Sequence, residues 1–342
     1  MTGGELVPWQ DVHSGADEVG VWTSADRMIG ESTREAIRAG VNPHTARAYT
    51  RQQQAFEAWC AERGRTPLPA SPETLAEYAA DLAARDFAPA SIEQAVAAVR
   101  VAHRHAGHPG QPDTTAVELI LAGHREARAR AGRRAKKARV LEIGEIRRML
   151  TCCDLDTLPG LRDRVIITLG ANLMSRRSEL REIDIVDLEF TTEGVLVHIR
   201  RSKTDQQARG RTVAVPHGVH PDSDPVRLTR AWLAALAKHG VTGGPVLRAC
   251  GRGGKLETSG RLSAEAINHV VRRRAKQAGV ADWEKVSGHS LRATGATLAA
   301  WNDVPAGVIA EHGGWEPTSP TVHGYMRNAT QWKNNAMRGT GF

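Results

Sequence analysis

Cysteines, aromatic residues and long apolar runs are all scarce in this chain, and each scarcity excludes something. The four cysteines, Cys60, Cys152, Cys153 and Cys250, form no C-x-x-C pair, and the adjacent two are poorly placed to bridge each other. A disulfide scaffold is therefore not expected, and a reducing cytosol is. No stretch of about 18 or more apolar residues occurs, so no membrane-spanning helix is expected. The segment from Met1 to Val21 lacks a basic region followed by an apolar run, so no secretory signal is visible. Aromatic residues make up only 4% of the chain, which leaves Ala, Leu and Val to build the core. A compact Asp/Glu cluster for two-metal chemistry is missing too, and His289, His312 and His323 match no i, i+4 zinc spacing. No metal and no cofactor are expected.

What is present points to a polyanion. The net charge is +8 over 342 residues, a length comfortable for two domains. Residues 1–30 mix Gly, Asp, Glu and Ser with little periodicity and are expected to form a flexible arm. From Pro43 the pattern is helical: Tyr49, Phe56, Trp59 and Cys60 fall on one apolar stripe. Ser71-Pro72 reads as an N-cap and first helical residue, with Leu75, Tyr78, Ala79 and Leu82 inward. A third helix is expected from Ser91, burying Ile92, Ala95, Val99 and Ala102, and a fourth from about Asp113 to Arg130. Residues 31–124 thus form a small helical domain. Residues 125–139 follow as a basic interdomain linker with one acid, Glu126, and Arg133, Arg134, Lys136 and Lys137 are candidates for DNA phosphate contact.

A second domain is expected over residues 140–329. Helical stretches cover Glu142 to Thr151 and Leu161 to Ala171. The period then changes to two, with Val195, Val197 and Ile199 facing Val213 and Val215 across a hairpin whose loop carries Lys203, Asp205 and Arg209. Helix returns after the N-cap Ser263, with Ile267, Val270, Val271 and Ala275 inward and Arg272, Arg273, Arg274 and Lys276 on the other face. Two more helices run through His289 to Trp301 and from Pro305 to His312.

Two guanidinium forks, Arg176 and Arg292, can hold one phosphate bidentately and stabilise its trigonal-bipyramidal transition state. Taken singly, each arginine reads first as a surface charge and Lys203 as an idle turn lysine, while His289 reads equally as a satisfied core histidine. Tyr325 is the only tyrosine of the second domain; a phenol with pKa near 10 needs cationic neighbours or a base to act as a nucleophile.

Taken together, Arg176-x-x-Glu179-Leu180, Ser202-Lys203-Thr204, His289-x-x-Arg292, Gly313-Gly314-Trp315 and Tyr325 resemble the tyrosine recombinases, or phage integrases, and within them the Cre-like branch. The resemblance runs over nearly the whole chain. It implies a mainly α fold: a helical core-binding (SAM-like) domain, then an α-rich catalytic domain with a small antiparallel β-sheet and a docking tail at 330–342. It also implies site-specific cutting and rejoining of double-stranded DNA at inverted repeats around a spacer, by a homotetramer on two DNA sites, through a Holliday junction and without metal or ATP. A prokaryotic cytoplasm or nucleoid would be the setting.

Roles follow for the matching positions. Arg176 and Arg292 would bind the scissile phosphate, with His289 and Trp315 at a non-bridging oxygen. Lys203 would protonate the leaving 5′-hydroxyl, Glu179 would buttress the site, and Tyr325 would form the 3′-phosphotyrosyl link. The step from Trp315 to Tyr325 is one residue longer than is usual in the family. An inactive DNA-binding accessory protein of the same fold is the alternative.

Overall fold

The computed structural model describes residues 28, 30–40, 43–108, 110–133, 138–200, 210–251, 254–331, 335 and 337. The chain divides into two compact units, Met1–Lys136 and Lys137–Phe342. The fold is mainly helical with two small antiparallel sheets. Among the described residues no helix is long and apolar enough to cross a membrane.

In the first unit five helices are described: α1 (Glu31–Gly40), α2 (Pro43–Glu62), α3 (Pro72–Ala84), α4 (Pro89–His105) and α5 (Thr115–Arg130). Ser71 caps α3 by accepting from the Thr74 amide at 3.2 Å, and Pro72 follows where its missing N–H costs nothing. Phe56, Trp59 and Cys60 of α2 pack with Leu75, Tyr78 and Leu82 of α3 and Ile92, Ala95 and Val99 of α4. Two expectations shift, and one helix is added. Helix α1 has too few apolar residues to announce itself. Helix α4 starts at Pro89 rather than Ser91, because proline fits the first turn, and Ala102 is only half-buried while its neighbour His103 is fully enclosed.

The basic stretch opens within the expected fourth helix, here α5, which runs to Arg130 as its pattern leads one to expect. Its arginines are held locally: Arg125 pairs with Glu93, Arg128 with Asp86 and Arg130 with Glu126.

The second unit contains α6 (Ile143–Thr151), α7 (Leu158–Asn172) and α8 (Arg177–Glu182), then a three-stranded sheet β1 (Leu188–Phe190), β2 (Gly194–Ile199), β3 (Arg211–Pro216). The register pairs Val195 with Val215 and Val197 with Val213, placing their side chains in the core as the alternation requires. The hairpin's tip, residues 201–209, lies outside the described residues. Next come α9 (Pro225–Lys238), the pair β4 (Arg248–Cys250) and β5 (Leu256–Arg261), α10 (Ala264–Gln277), α11 (Gly288–Trp301), α12 (Ala306–Gly313) and α13 (Pro320–Thr330).

One expectation about α10 is overturned. Arg274 does not share the outer face with Arg272 and Arg273. It is buried, donating Nε to Asp163 at 2.9 Å and Nη1 to the Cys152 carbonyl at 2.7 Å. Asp163 of α7 is itself fully enclosed and also pairs with Arg162 and Arg273. A buried carboxylate demands such partners, and they fasten α10 to α7.

Candidate active site

Four local devices in the second unit bring the predicted residues together. The first is the start of α8. Arg176 is its N-cap, and the Glu179 carboxylate reaches back to accept from the Arg176 amide at 3.1 Å, the return half of a capping box, which closes the first turn. The other carboxylate oxygen accepts from Arg176 Nη1 at 2.6 Å. Just upstream, Met174 sits in the left-handed region with φ 45°, a conformation that costs a non-glycine residue on the order of 1 kcal/mol or more.

The second device is the start of α11. The Ser287 amide donates to Ser290 Oγ at 3.1 Å, and the Gly288 amide donates to Asn268 Oδ1 of α10 at 2.9 Å. This fixes the turn that presents His289 and Arg292. Arg292 is 1% exposed, and its Nη1 donates to the carbonyls of Met174 and, at 2.7 Å, Gly313. Its Nη2 is buried and has no hydrogen-bond partner among the described residues. Burial, reinforced by Arg176 and Arg211, pulls its pKa down to about 9, which leaves it cationic at neutral pH. His289 lies at the solvent edge; desolvation and the charges of Arg292, Arg176 and Arg177 hold its imidazole below the usual histidine range.

The third device is the turn after α12. Gly314 adopts φ 65°, and the Trp315 ring lies directly on Gly313, where a Cβ would fall 1.8 Å from the indole. The Trp315 ring covers the Arg292 guanidinium, 3.5 Å from ring centroid to Cζ. Its edge meets the Tyr325 ring at 5.8 Å with planes at 62°.

The fourth is α13, which carries Tyr325. It packs through the fully buried Val322 against Ala296 and Ala300 of α11 and Ile309 and Ala310 of α12. The small alanines let the helices approach closely, so Tyr325 is supplied on a packed helix rather than a loop. Burial raises the Tyr325 pKa, and the Arg292 charge opposes that rise.

Arg176, Glu179, Arg292, Trp315 and Tyr325 are thus gathered, with His289 at their edge. Lys203 lies outside the described residues, as do Arg134, Lys136 and Lys137. Arg133 is described and pairs with Asp86 of its own unit. The missed member is Arg211 on β3: it donates Nη2 to Glu179 at 3.2 Å and Nη1 to the His312 carbonyl at 3.4 Å. The signal was there, since Arg211 is in phase with the buried Val213 and Val215, where an arginine is out of place unless paired. Among the described residues no group of three or more His, Cys, Asp or Glu side chains is placed to hold a metal ion.

Comparison with known proteins identifies the family and the fold. The sequence profile of the "Phage integrase family" matches residues 139–331, and that of the "Phage integrase, N-terminal SAM-like domain" matches residues 36–108. An integrase/recombinase XerD homolog of Selenomonas ruminantium is 32% identical over 86% of this chain and 84% of its own. Recombinase Cre of Escherichia phage P1 is 28% identical over 85% of this chain and 86% of its own. Among solved structures, the integrase of the transposon Tn1549, in complex with transposon right-end DNA, superposes with a TM-score of 0.59 at 14% identity, covering 89% of this chain and 98% of that one. From the ordered residues, the fold and these matches together, the chain belongs to the phage integrase family of tyrosine recombinases.

Proposed function

We propose that this chain performs the family's reaction, site-specific cutting and rejoining of duplex DNA, with Tyr325 as nucleophile. Tyr325 Oη gives up its proton to water and attacks the scissile phosphorus, the bond to the 5′ oxygen breaks, and the strand stays attached as a 3′-phosphotyrosyl ester. Lys203 gives its proton to the departing 5′ oxygen, which as a bare alkoxide would be a poor leaving group. Arg176 and Arg292 hold the non-bridging oxygens, and His289 and Trp315 complete the cradle. The phosphotyrosyl ester keeps the energy of the phosphodiester, so attack by a new 5′-hydroxyl reseals the strand with neither ATP nor a metal ion in any step.

The observation that carries this reading is Arg292. A guanidinium so buried, with one nitrogen unpartnered among the described residues and Tyr325 one ring away, is suited to an anion placed against that tyrosine. The full reaction is assigned to a homotetramer on two inverted-repeat sites, passing through a Holliday junction in a prokaryotic cytoplasm or nucleoid.

The test uses DNA selected by binding to the purified protein and nicked near the cut so that the released fragment diffuses away. Wild type with excess chelator should give a DNA-linked protein band on a denaturing gel, and Tyr325→Phe should give none. Linkage by both proteins, or linkage lost to chelator, would overturn the reading.

A further inference from the structure

Arg211 has no place in the reaction as described above, yet it is joined to three parts of the site. Its side chain is 16% exposed, and it stands on β3, the return strand of the hairpin whose tip carries Lys203. It reaches the Glu179 carboxylate of α8, the His312 carbonyl of α12 and the Gly314 turn, where a Cβ would lie 2.6 Å from its Nε. That Nε is buried without a hydrogen-bond partner among the described residues. Burying a guanidinium is costly unless it is paired, and the acid that Arg211 meets is Glu179.

The charge balance shows what that pairing does. Arg176, Arg211 and Arg292 lie close enough to repel one another electrostatically, and Glu179 is the acid set among them. Burial alone would raise the Glu179 pKa, but hydrogen bonds from the Arg176 side chain and amide and the charges of both Arg176 and Arg211 hold it below the usual range. Glu179 is therefore a full anion, bonded through one oxygen to Arg176 Nη1 and through the other to Arg211 Nη2. Three guanidiniums against one carboxylate leave two net positive charges. Without Arg211, Glu179 would be matched to Arg176 alone, and a single net positive charge would remain. A phosphodiester carries one negative charge in the ground state and develops a second in its pentacoordinate transition state.

From this geometry we infer that Arg211 is a positioning residue that neutralises Glu179, so that Arg176 and Arg292 keep their positive charge for the phosphate as it becomes dianionic. The inference rests on the recombinase reading of the site. Arg211 acts through Glu179 and Arg176, not by touching DNA, and it links the strand returning from the Lys203 loop to the phosphate-binding arginines.

Single-turnover linkage to nicked DNA is the experiment, run on the full chain with wild type, Arg211→Met, Arg211→Lys and the double variant Arg211→Met/Glu179→Gln, with DNA binding and melting recorded for each. Arg211→Met should slow linkage roughly 10- to 100-fold while DNA affinity changes little, because the missing charge matters most in the transition state. Arg211→Lys should recover most of the rate. The double variant removes one positive and one negative charge, restores the net balance and should also recover rate, which a merely structural arginine would not do. A methylphosphonate at the cut site, lacking one negative charge, should shrink the Arg211→Met defect. An unchanged rate in Arg211→Met, or a double variant slower than Arg211→Met with no narrowing on methylphosphonate, would overturn the inference. If Arg211→Met melts out, Arg211→Lys and the double variant still decide. Absence of linkage in wild type would instead overturn the reading of the site, and this inference with it.

Discussion

The Arg292 guanidinium is stacked on the Trp315 indole, 3.5 Å from its centroid. A cation pressed to the face of a tryptophan and shielded from water is held where the ring's negative face favours it. One phosphate-binding group is thereby oriented before any DNA arrives, which is where preorganised electrostatics give most rate.

Replacing Trp315 by Ala should therefore slow strand linkage by about 10- to 30-fold, the value of a desolvated cation–π contact of about 2 kcal/mol. Trp315→Phe keeps a ring face and should fall between. Single-turnover gels measure both, and a wild-type rate in Trp315→Ala would make the stack dispensable.

Arg292→Lys keeps the charge but not the fork. An ammonium cannot reach the Met174 and Gly313 carbonyls and a phosphate with the same geometry. Linkage should drop by about a hundredfold or more, and the melting temperature should fall by several degrees as buried carbonyls lose their donor.

Gly314→Ala tests the turn. Its φ of 65° costs an alanine about 1–2 kcal/mol, and the new Cβ would meet Arg211 Nε at 2.6 Å. Both a lower melting temperature and slower linkage are expected, whereas Gly307→Ala, with nothing within 4 Å of its Cβ, should leave linkage unchanged.

His103 makes the first unit sensitive to acid. The Ala70 amide donates to its Nε2 at 2.7 Å, so Nδ1 carries the proton and donates to the Val99 carbonyl at 2.8 Å. Burial is the largest cause of its pKa lying below the ordinary histidine value of about 6.5. With the folded pKa depressed, the unfolded chain binds the extra proton first. The stability this neutral ring contributes is present above 6.5 and is lost as pH falls below it. Amide exchange in α3 and α4, corrected for intrinsic rates, should speed up between pH 7 and 5.5 in wild type, and less in His103→Gln.

Much of this was legible because the signals were local. Ser71 and Ser263 cap the helices their sequence announces, and the alternation of Val195, Val197, Val213 and Val215 gives a hairpin in the register observed. What escaped depends on partners far along the chain. Arg274 looks like the rest of its basic run until Asp163 is seen beside it, and nothing within α10 distinguishes the two cases. Pro317 and Pro320 stand between Trp315 and Tyr325, yet Pro320 opens a helix, and Val322 makes it adhere to α11 and α12. The gathering of Arg176, Glu179, Arg292, Trp315 and Tyr325 could be named from motif order, but their contacts could not.

The two carbonyls bound by Arg292 have a practical corollary for anyone wishing to capture this protein on uncut DNA. Met174 precedes Arg176, and Gly313 precedes Trp315, so one side chain fastens both loops of the site. An Arg292 variant would be inert for two reasons at once, and a complex made with it would portray a slackened pocket. Tyr325→Phe deletes a single oxygen and leaves Val322 and Met326 to seat their helix. It is the substitution that stops the reaction while leaving the cradle intact to be seen.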